Sequence, residues 1–287
     1  MRVCLVGVGL IAGSLGLALR EKNQTLSVVG LGRHAETLER GVTLGVLDEW
    51  SLDPAIALAK ADIVVLGVPL GATANVLSWI KPHLPKAAVI TDVGSAKGCV
   101  IEDVEAVFGE LPVTFVPGHP IAGTEHSGID AAFGRLFFGR RVILTPTERT
   151  SQEATQAVET LWSQAGAHVV TMSVEHHDRM LAMTSHLPHM LAFGLVDMLA
   201  GASDHEEILR YAAGGFRDFT RIASSDPVMW RDICLGNRDA LLEALAAYRS
   251  DLEKLAHFVD QADGDGLEAI FNQAKSTRDA YRHWFES

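Results

Sequence analysis

The stretch Gly7-Val8-Gly9-Leu10-Ile11-Ala12 constrains the fold more than any other. It follows an apolar run at residues 2–8 and opens a segment, residues 11–21, with helical periodicity. In a strand-turn-helix unit the first glycine makes the tight turn. The second lets a pyrophosphate approach the backbone, and the third small residue lets helix and strand pack closely. Amide groups at the helix N-terminus then face the phosphates. The pattern predicts a dinucleotide site contacted by Gly7, Gly9, Leu10, Ile11 and Ala12, with Val68 and Pro69 completing it from a later strand end.

The same alternation continues. Residues 26–31, 62–68, 88–93, 113–116, 141–144 and 168–171 read as further strands. Residues 35–44, 72–83, 97–108 and 152–164 carry helical periodicity. Continuous Val, Ile and Leu in the strands implies burial on both faces, as in a parallel sheet. Residues 1–171 therefore read as a doubly wound, Rossmann-like α/β domain. From residue 172 to 287 the strands stop and helical patterns take over, broken by a glycine-containing segment at 212–220 and by Pro227. Residues 180–198 are apolar over most of a helix circumference, which predicts a helical domain that also buries a homodimer interface.

Acidic groups outnumber basic ones 36 to 24, a net charge of −12, so neither nucleic acid nor an acidic membrane surface is expected as partner. Any anionic ligand needs a local positive cluster. Cys4, Cys99 and Cys234 lie far apart without metal-ligand spacing, which fits a reducing cytoplasm and argues against a disulfide scaffold or zinc site. The charged start and apolar stretch up to Leu19 imitate a signal peptide, but glycines at 7, 9, 13 and 16 interrupt it and no small-residue cleavage site follows. No apolar run reaches the length of a membrane span.

At the end of the second strand the acid that would hold the ribose hydroxyls of NAD is missing. Gly32 leaves room and Arg33 supplies a fixed positive charge suited to a 2′-phosphate. NADP is the expected cofactor on this reading. NAD remains open, because Glu36 can serve it if the loop turns.

Four further motifs follow in order: Thr91-Asp92-Val93-Gly94-Ser95-Ala96-Lys97, Gly118-His119-Pro120-Ile121-Ala122-Gly123-Thr124-Glu125, Ser185-His186-Leu187-Pro188-His189, and Gly214-Gly215-Phe216-Arg217-Asp218-Phe219-Thr220-Arg221. Together with the glycine loop they resemble the prephenate dehydrogenase family, which includes arogenate and cyclohexadienyl dehydrogenases, over essentially the whole chain. The resemblance implies oxidative decarboxylation of prephenate, or of arogenate, with hydride transfer to NAD(P). It implies that His119 accepts the proton of the 4-hydroxyl, a task suited to an imidazole. Ser95 then stands beside it, with a helix N-cap as its ordinary alternative. Arg221 grips a substrate carboxylate. Arg217 sits near the entrance, where Glu125 can pair with it. His189 contacts substrate, Asp178 and His186 support the site, and Thr124, Gly215 and Trp230 line it.

On a regular helix His189 lies about 20° and His186 about 80° from Asp178, so all three can share a face, with Pro188 bending the helix. His186-x-x-His189 lacks the companions of a metal site, and none is expected. His176 and His177 read as surface or helix-start residues. Two rivals remain. One is a β-hydroxyacid-type dehydrogenase, disfavoured because residues 174–237 contain no lysine. The other is a non-catalytic dinucleotide sensor, which has no need of Ser95, His119, His189 and Arg221 together.

Overall fold

A computed structural model describes residues 1–23, 25–124 and 126–282. The chain divides into two compact units, Met1–Leu241 and Leu242–Ser287.

The first unit is built on β1 (Arg2–Val6), α1 (Leu10–Lys22), β2 (Ser27–Leu31), α2 (Ala35–Thr43), β3 (Glu49–Ser51), α3 (Pro54–Leu58), β4 (Ile63–Leu66), α4 (Thr73–Ile80), β5 (Val89–Asp92), α5 (Gly98–Phe108) and β6 (Phe115–Val116). All six strands pair in parallel, in the order β3-β2-β1-β4-β5-β6. The period-2 geometry of each strand sends alternate side chains to opposite faces. Val3, Leu5, Val28, Ile63 and Val65 enter one core with α1 and with Val158, Leu161 and Trp162. Cys4, Val6, Val29, Val64 and Leu66 enter the other with Leu77, Ile80, Val100 and Val104 from α4 and α5. Both faces are covered, as the unbroken apolar runs predict.

The strand order reverses between β1 and β4, and ligands bind open α/β sheets at such a crevice. There Gly7 lies in the left-handed region at φ +81°. A Cβ on it would sit 2.7 Å from Val68 Cγ1 and 2.8 Å from the Gly67 carbonyl oxygen. Only glycine fits this turn.

A second sheet follows: β7 (Gly118–Pro120), β8 (Arg141–Leu144) and β9 (His168–Thr171), with α6 (Gln152–Gln164) before β9. β7 runs antiparallel to β8, and β8 parallel to β9. The sequence does not announce β7, because Gly-His-Pro has no strand propensity; pairing with Val142–Leu144 makes it one. β3 and α3 are likewise too short for a periodic signal.

Helices complete the unit: α7 (Val174–Leu181), α8 (Leu187–Ala200), α9 (His205–Arg210), α10 (Gly214–Thr220), α11 (Pro227–Gly236) and the start of α12 (Arg238–Asp260). The single helix expected across 180–198 is two, joined by a π turn at Ala182–His186. Pro188 has no N–H to return to the preceding turn, so the ladder changes register before it. The glycine-containing segment expected to break the helical run does so only at residues 211–213; Gly214 and Gly215 open α10.

The second unit contains the remainder of α12 and α13 (Gly264–Ala280), joined by a turn in which Asp263 caps the Gly266 amide at 2.9 Å. None of the α13 residues is buried, and Val259 and Phe271 are largely exposed. No helix among the described residues is long and apolar enough to cross a membrane.

Two neighbouring glycines are expected to respond oppositely. Gly7→Ala should lower stability by about 1–3 kcal/mol, because it combines a positive φ with backbone overlap. Gly9→Ala should leave it unchanged, since a Cβ there meets nothing within 4 Å. Urea unfolding midpoints check this; equal midpoints for the two variants would contradict it.

Candidate active site

The nucleotide cradle is assembled from the tips of β1 and β4. Gly7 N–H donates to the Leu31 carbonyl at 2.8 Å, tying the β1 tip to β2, and Gly67 N–H to the Val6 carbonyl at 2.8 Å, tying the β4 tip to β1. A Cβ on Gly67 would come within 2.7 Å of Ala12 Cβ, so the small third residue of the motif is required by packing. Gly9 caps α1 without a side-chain hydrogen bond, and the space over it is open. Amides of a first helical turn facing open space fit a phosphate. Leu10 and Ile11 begin α1; Val68 is half-buried and Pro69 exposed beyond β4. Gly32 and Arg33 follow β2, with Gly32 half-buried and Arg33 exposed. This set fits a dinucleotide.

His119 is carried by β7 and is only 8% exposed. Its Nδ1 lies 2.8 Å from His177 Nε2, and His177 Nδ1 lies 2.7 Å from Asp178 Oδ1. The Asp178 carboxylate also accepts the Lys97 N–H on Oδ1 at 2.9 Å and the Gly98 N–H on Oδ2 at 2.8 Å. Burial opposes the charged form of Asp178, but the His177 hydrogen bond and these two amides outweigh it and lower its pKa. An ionised carboxylate only accepts, so His177 Nδ1 donates and His177 Nε2 accepts. His119 Nδ1 must then donate, which leaves the lone pair on His119 Nε2. Burial, with His177, Lys97 and His186 nearby, holds the His119 pKa well below its ordinary value. The imidazole is neutral, with its basic nitrogen fixed by the chain.

His177 is thus not the surface residue its sequence position implied. It has no exposed side-chain surface and links His119 to Asp178, whereas His176 is exposed. The available signal was Asp178 beside it, one turn after the Ser173 cap that accepts the His176 N–H at 3.2 Å.

A second group surrounds the π turn. Asn237 Nδ2 donates to the Asp178 carbonyl at 2.7 Å and lies 3.1 Å from His186 Nδ1. Burial brings the His186 imidazole down to about 4, partly opposed by the Asp178 charge. His189 Nδ1 reaches the Ser185 carbonyl at 2.9 Å, and its ring stacks on the buried Trp230 with centroids 3.6 Å apart. His186 meets the same indole edge to face. Ser95 is half-buried between Asp92 and Lys97, and its backbone approaches His186.

Ser95, His119, Asp178, His186, His189 and Trp230 therefore come together, with His177 and Asn237 joining them. Thr124 lies on an exposed loop, its hydroxyl bonded to the His126 backbone. Gly215 and Arg217 lie on α10, exposed, with Arg217 Nε 3.2 Å from Asp218. Arg221 starts a 3₁₀ turn that packs on α8, the helix of His189. Glu125, expected to pair with Arg217, lies outside the described residues. Among the described residues no His, Cys, Asp or Glu cluster can hold a metal.

Comparison with known proteins agrees with this architecture. The model of the prephenate dehydrogenase nucleotide-binding domain matches residues 15–171, and that of the prephenate dehydrogenase dimerization domain matches residues 173–273. The cyclohexadienyl dehydrogenase of Zymomonas mobilis is 38% identical over 96% of this chain and 94% of its own. The prephenate dehydrogenase of Bacillus subtilis is 35% identical over 96% of this chain and 75% of its own. Among solved structures, the Aquifex aeolicus prephenate dehydrogenase with hydroxyphenyl propionate and NAD+ superposes with a TM-score of 0.90, at 36% identity over 98% of both chains. Synechocystis arogenate dehydrogenase gives 0.82 at 31% identity, over 98% of this chain and 100% of its own. The sheet order, the helical second half and matches spanning nearly the full length leave one conclusion: this chain belongs to the prephenate dehydrogenase family.

Proposed function

We propose that the protein oxidises and decarboxylates prephenate, and arogenate where the side-chain pocket admits it, with NADP preferred over NAD. The observation that carries the reading is the buried chain His119–His177–Asp178, which commits His119 Nδ1 to His177. His119 Nε2 takes the 4-hydroxyl proton as hydride leaves the same ring carbon. The ring carboxylate departs as CO2 and its bonding electrons complete the aromatic ring. The bound nicotinamide supplies the hydride acceptor. His177 and Asp178 hold the tautomer and stabilise the imidazolium that forms, as a carboxylate-histidine pair does in other proton transfers.

Substrate carboxylate falls to Arg221, whose guanidinium offers a bidentate fork. His189, stacked on Trp230, presents its remaining ring nitrogen to the substrate. Asp178 and His186 brace this wall, Ser95 stands between His119 and the cofactor, and Thr124, Gly215 and Arg217 line the entrance. Residues 1–171 hold the nucleotide and residues 172–287 form the substrate and dimer half. The homodimer reading is supported by exposed apolar residues such as Met198 on α8 and Phe271 on α13. Three unpaired cysteines suit a reducing cytoplasm.

His119→Asn should lower kcat by roughly 10²–10⁴-fold with cofactor affinity retained. The base works only when neutral, and burial lowers its pKa. The wild-type kcat/KM should therefore stay flat as pH falls through 6.5, the ordinary value, and decline only in more acid solution. A rate limb centred at or above the ordinary value, or normal turnover by the variant, would refute the assignment.

The NADP preference rests on Gly32 and Arg33 standing where an acid would hold the ribose of NAD. Arg33→Ser should raise KM for NADP by about 10-fold or more and leave KM for NAD within about 2-fold. Equal effects on both cofactors would make Arg33 a solvated loop charge.

A further inference from the structure

Two buried charges border the proton-acceptor chain without belonging to it. Lys97 has no exposed surface and Asp92 is 3% exposed. Lys97 Nζ is ion-paired with Asp92 Oδ2 and donates to the Gly118 carbonyl at 2.7 Å. Asp92 Oδ1 accepts the Gly118 N–H at 3.0 Å, and Oδ2 the Gly94 N–H at 2.8 Å. The residue immediately before His119 is therefore gripped at both its N–H and its C=O by one ion pair. A side chain at 118 would itself collide, since a Cβ there lies 3.0 Å from the Asp92 carbonyl oxygen.

Lys97 also reaches the other arm of the site. Its backbone N–H donates to Asp178 Oδ1 at 2.9 Å, on the carboxylate that orients His177. One residue thus holds β7 with its side chain and α7 with its backbone, and the 2.8 Å His119–His177 contact lies between those anchors. A buried ion pair adds little net stability over an apolar pair of similar volume. A fully desolvated lysine at this joint calls for a different explanation.

We propose that Lys97, neutralised by Asp92, is a positioning residue for the proton acceptor: it fixes the Gly118–His119 peptide against His177 and places a buried cation beside the His119 ring. Misplacement of a reacting group by about 1 Å costs about 10²-fold in rate, which is the scale on which this clamp acts. The groups facing His119 are His177 from α7, His186 from the π turn, and Lys97 from the β5–α5 segment. Those facing the Lys97 side chain are Asp92 and the Gly118 carbonyl. The cation disfavours imidazolium, so its removal moves His119 protonation to higher pH.

The proposal rests on His119 being the acceptor, and two variants with two readouts separate the claims. Asp92→Asn/Lys97→Met removes the clamp without leaving a lone buried charge. Lys97→Gln keeps a donor for Gly118 but drops the cation, leaving the Asp92 carboxylate to the Gly94 and Gly118 amides, and both changes move His119 protonation to higher pH. Turnover of prephenate, KM and cofactor affinity are measured for both beside wild type and His119→Asn. ¹⁵N NMR of the His119 ring, which needs no turnover, gives its tautomer and titration. The expected result is a kcat loss of about 30-fold or more for the double variant, with KM and cofactor affinity within about 3-fold. Lys97→Gln recovers part of that rate, and its His119 ring titrates at higher pH than in wild type. If the double variant does not fold, the Lys97→Gln titration decides alone. Wild-type kcat together with an unmoved His119 titration in Lys97→Gln would overturn the proposal. Normal turnover by His119→Asn would instead sink the acceptor reading, and the NMR shift would still report on Lys97.

Discussion

The carboxylate of Asp178 is the constraint on which the site depends. It sits at the start of the helical half, yet its ligands are the Lys97 and Gly98 amides at the head of α5. These amides precede α5's regular hydrogen bonding and would otherwise need another acceptor. The same carboxylate accepts the hydrogen bond of His177 Nδ1. One anion therefore caps a helix of the nucleotide-binding half, anchors the helical half to it and dictates the tautomers of two histidines. The geometry of the candidate site and the fold are set by the same bonds.

The site also illustrates how burial replaces solvent. Water around an isolated imidazole would leave its pKa near the ordinary value and its tautomer unfixed. Here His119, His177, His186 and His189 are all held below that value, with burial the largest cause in each. Four imidazoles held this way, His177 among them bonded to the Asp178 carboxylate, make a polar wall of largely neutral rings. Of the cations, Lys97 is paired with Asp92 beside this wall, while Arg217 and Arg221 lie on α10 and the turn after it.

Much of the fold was legible from two periodicities. The buried strands β1, β2, β4 and β5 carry unbroken Val, Ile and Leu, and α1, α2, α5 and α6 carry helical stripes. What periodicity missed is made by long-range pairing. β7 is a strand because β8 lies beside it, and the π turn exists because Pro188 interrupts a ladder that composition alone reads as continuous. For the site, motif residues such as His119, Asp178 and His189 were legible by resemblance. His177, Asp92 and Asn237 were not, since their importance lies in partners 58, 26 and 51 residues away. A carboxylate inside the apolar strand Val89–Asp92 was a signal nonetheless, because a buried charge requires a partner.

The most direct test of the proposed activity is a progress curve on the wild-type protein with prephenate and NADP, following reduced cofactor and CO2 together. One equivalent of each, formed in step with 4-hydroxyphenylpyruvate, is the expected outcome. Cofactor bound tightly, with neither reduction nor CO2 release from prephenate or arogenate, would contradict the account and leave a dinucleotide-binding protein whose histidine wall serves another purpose.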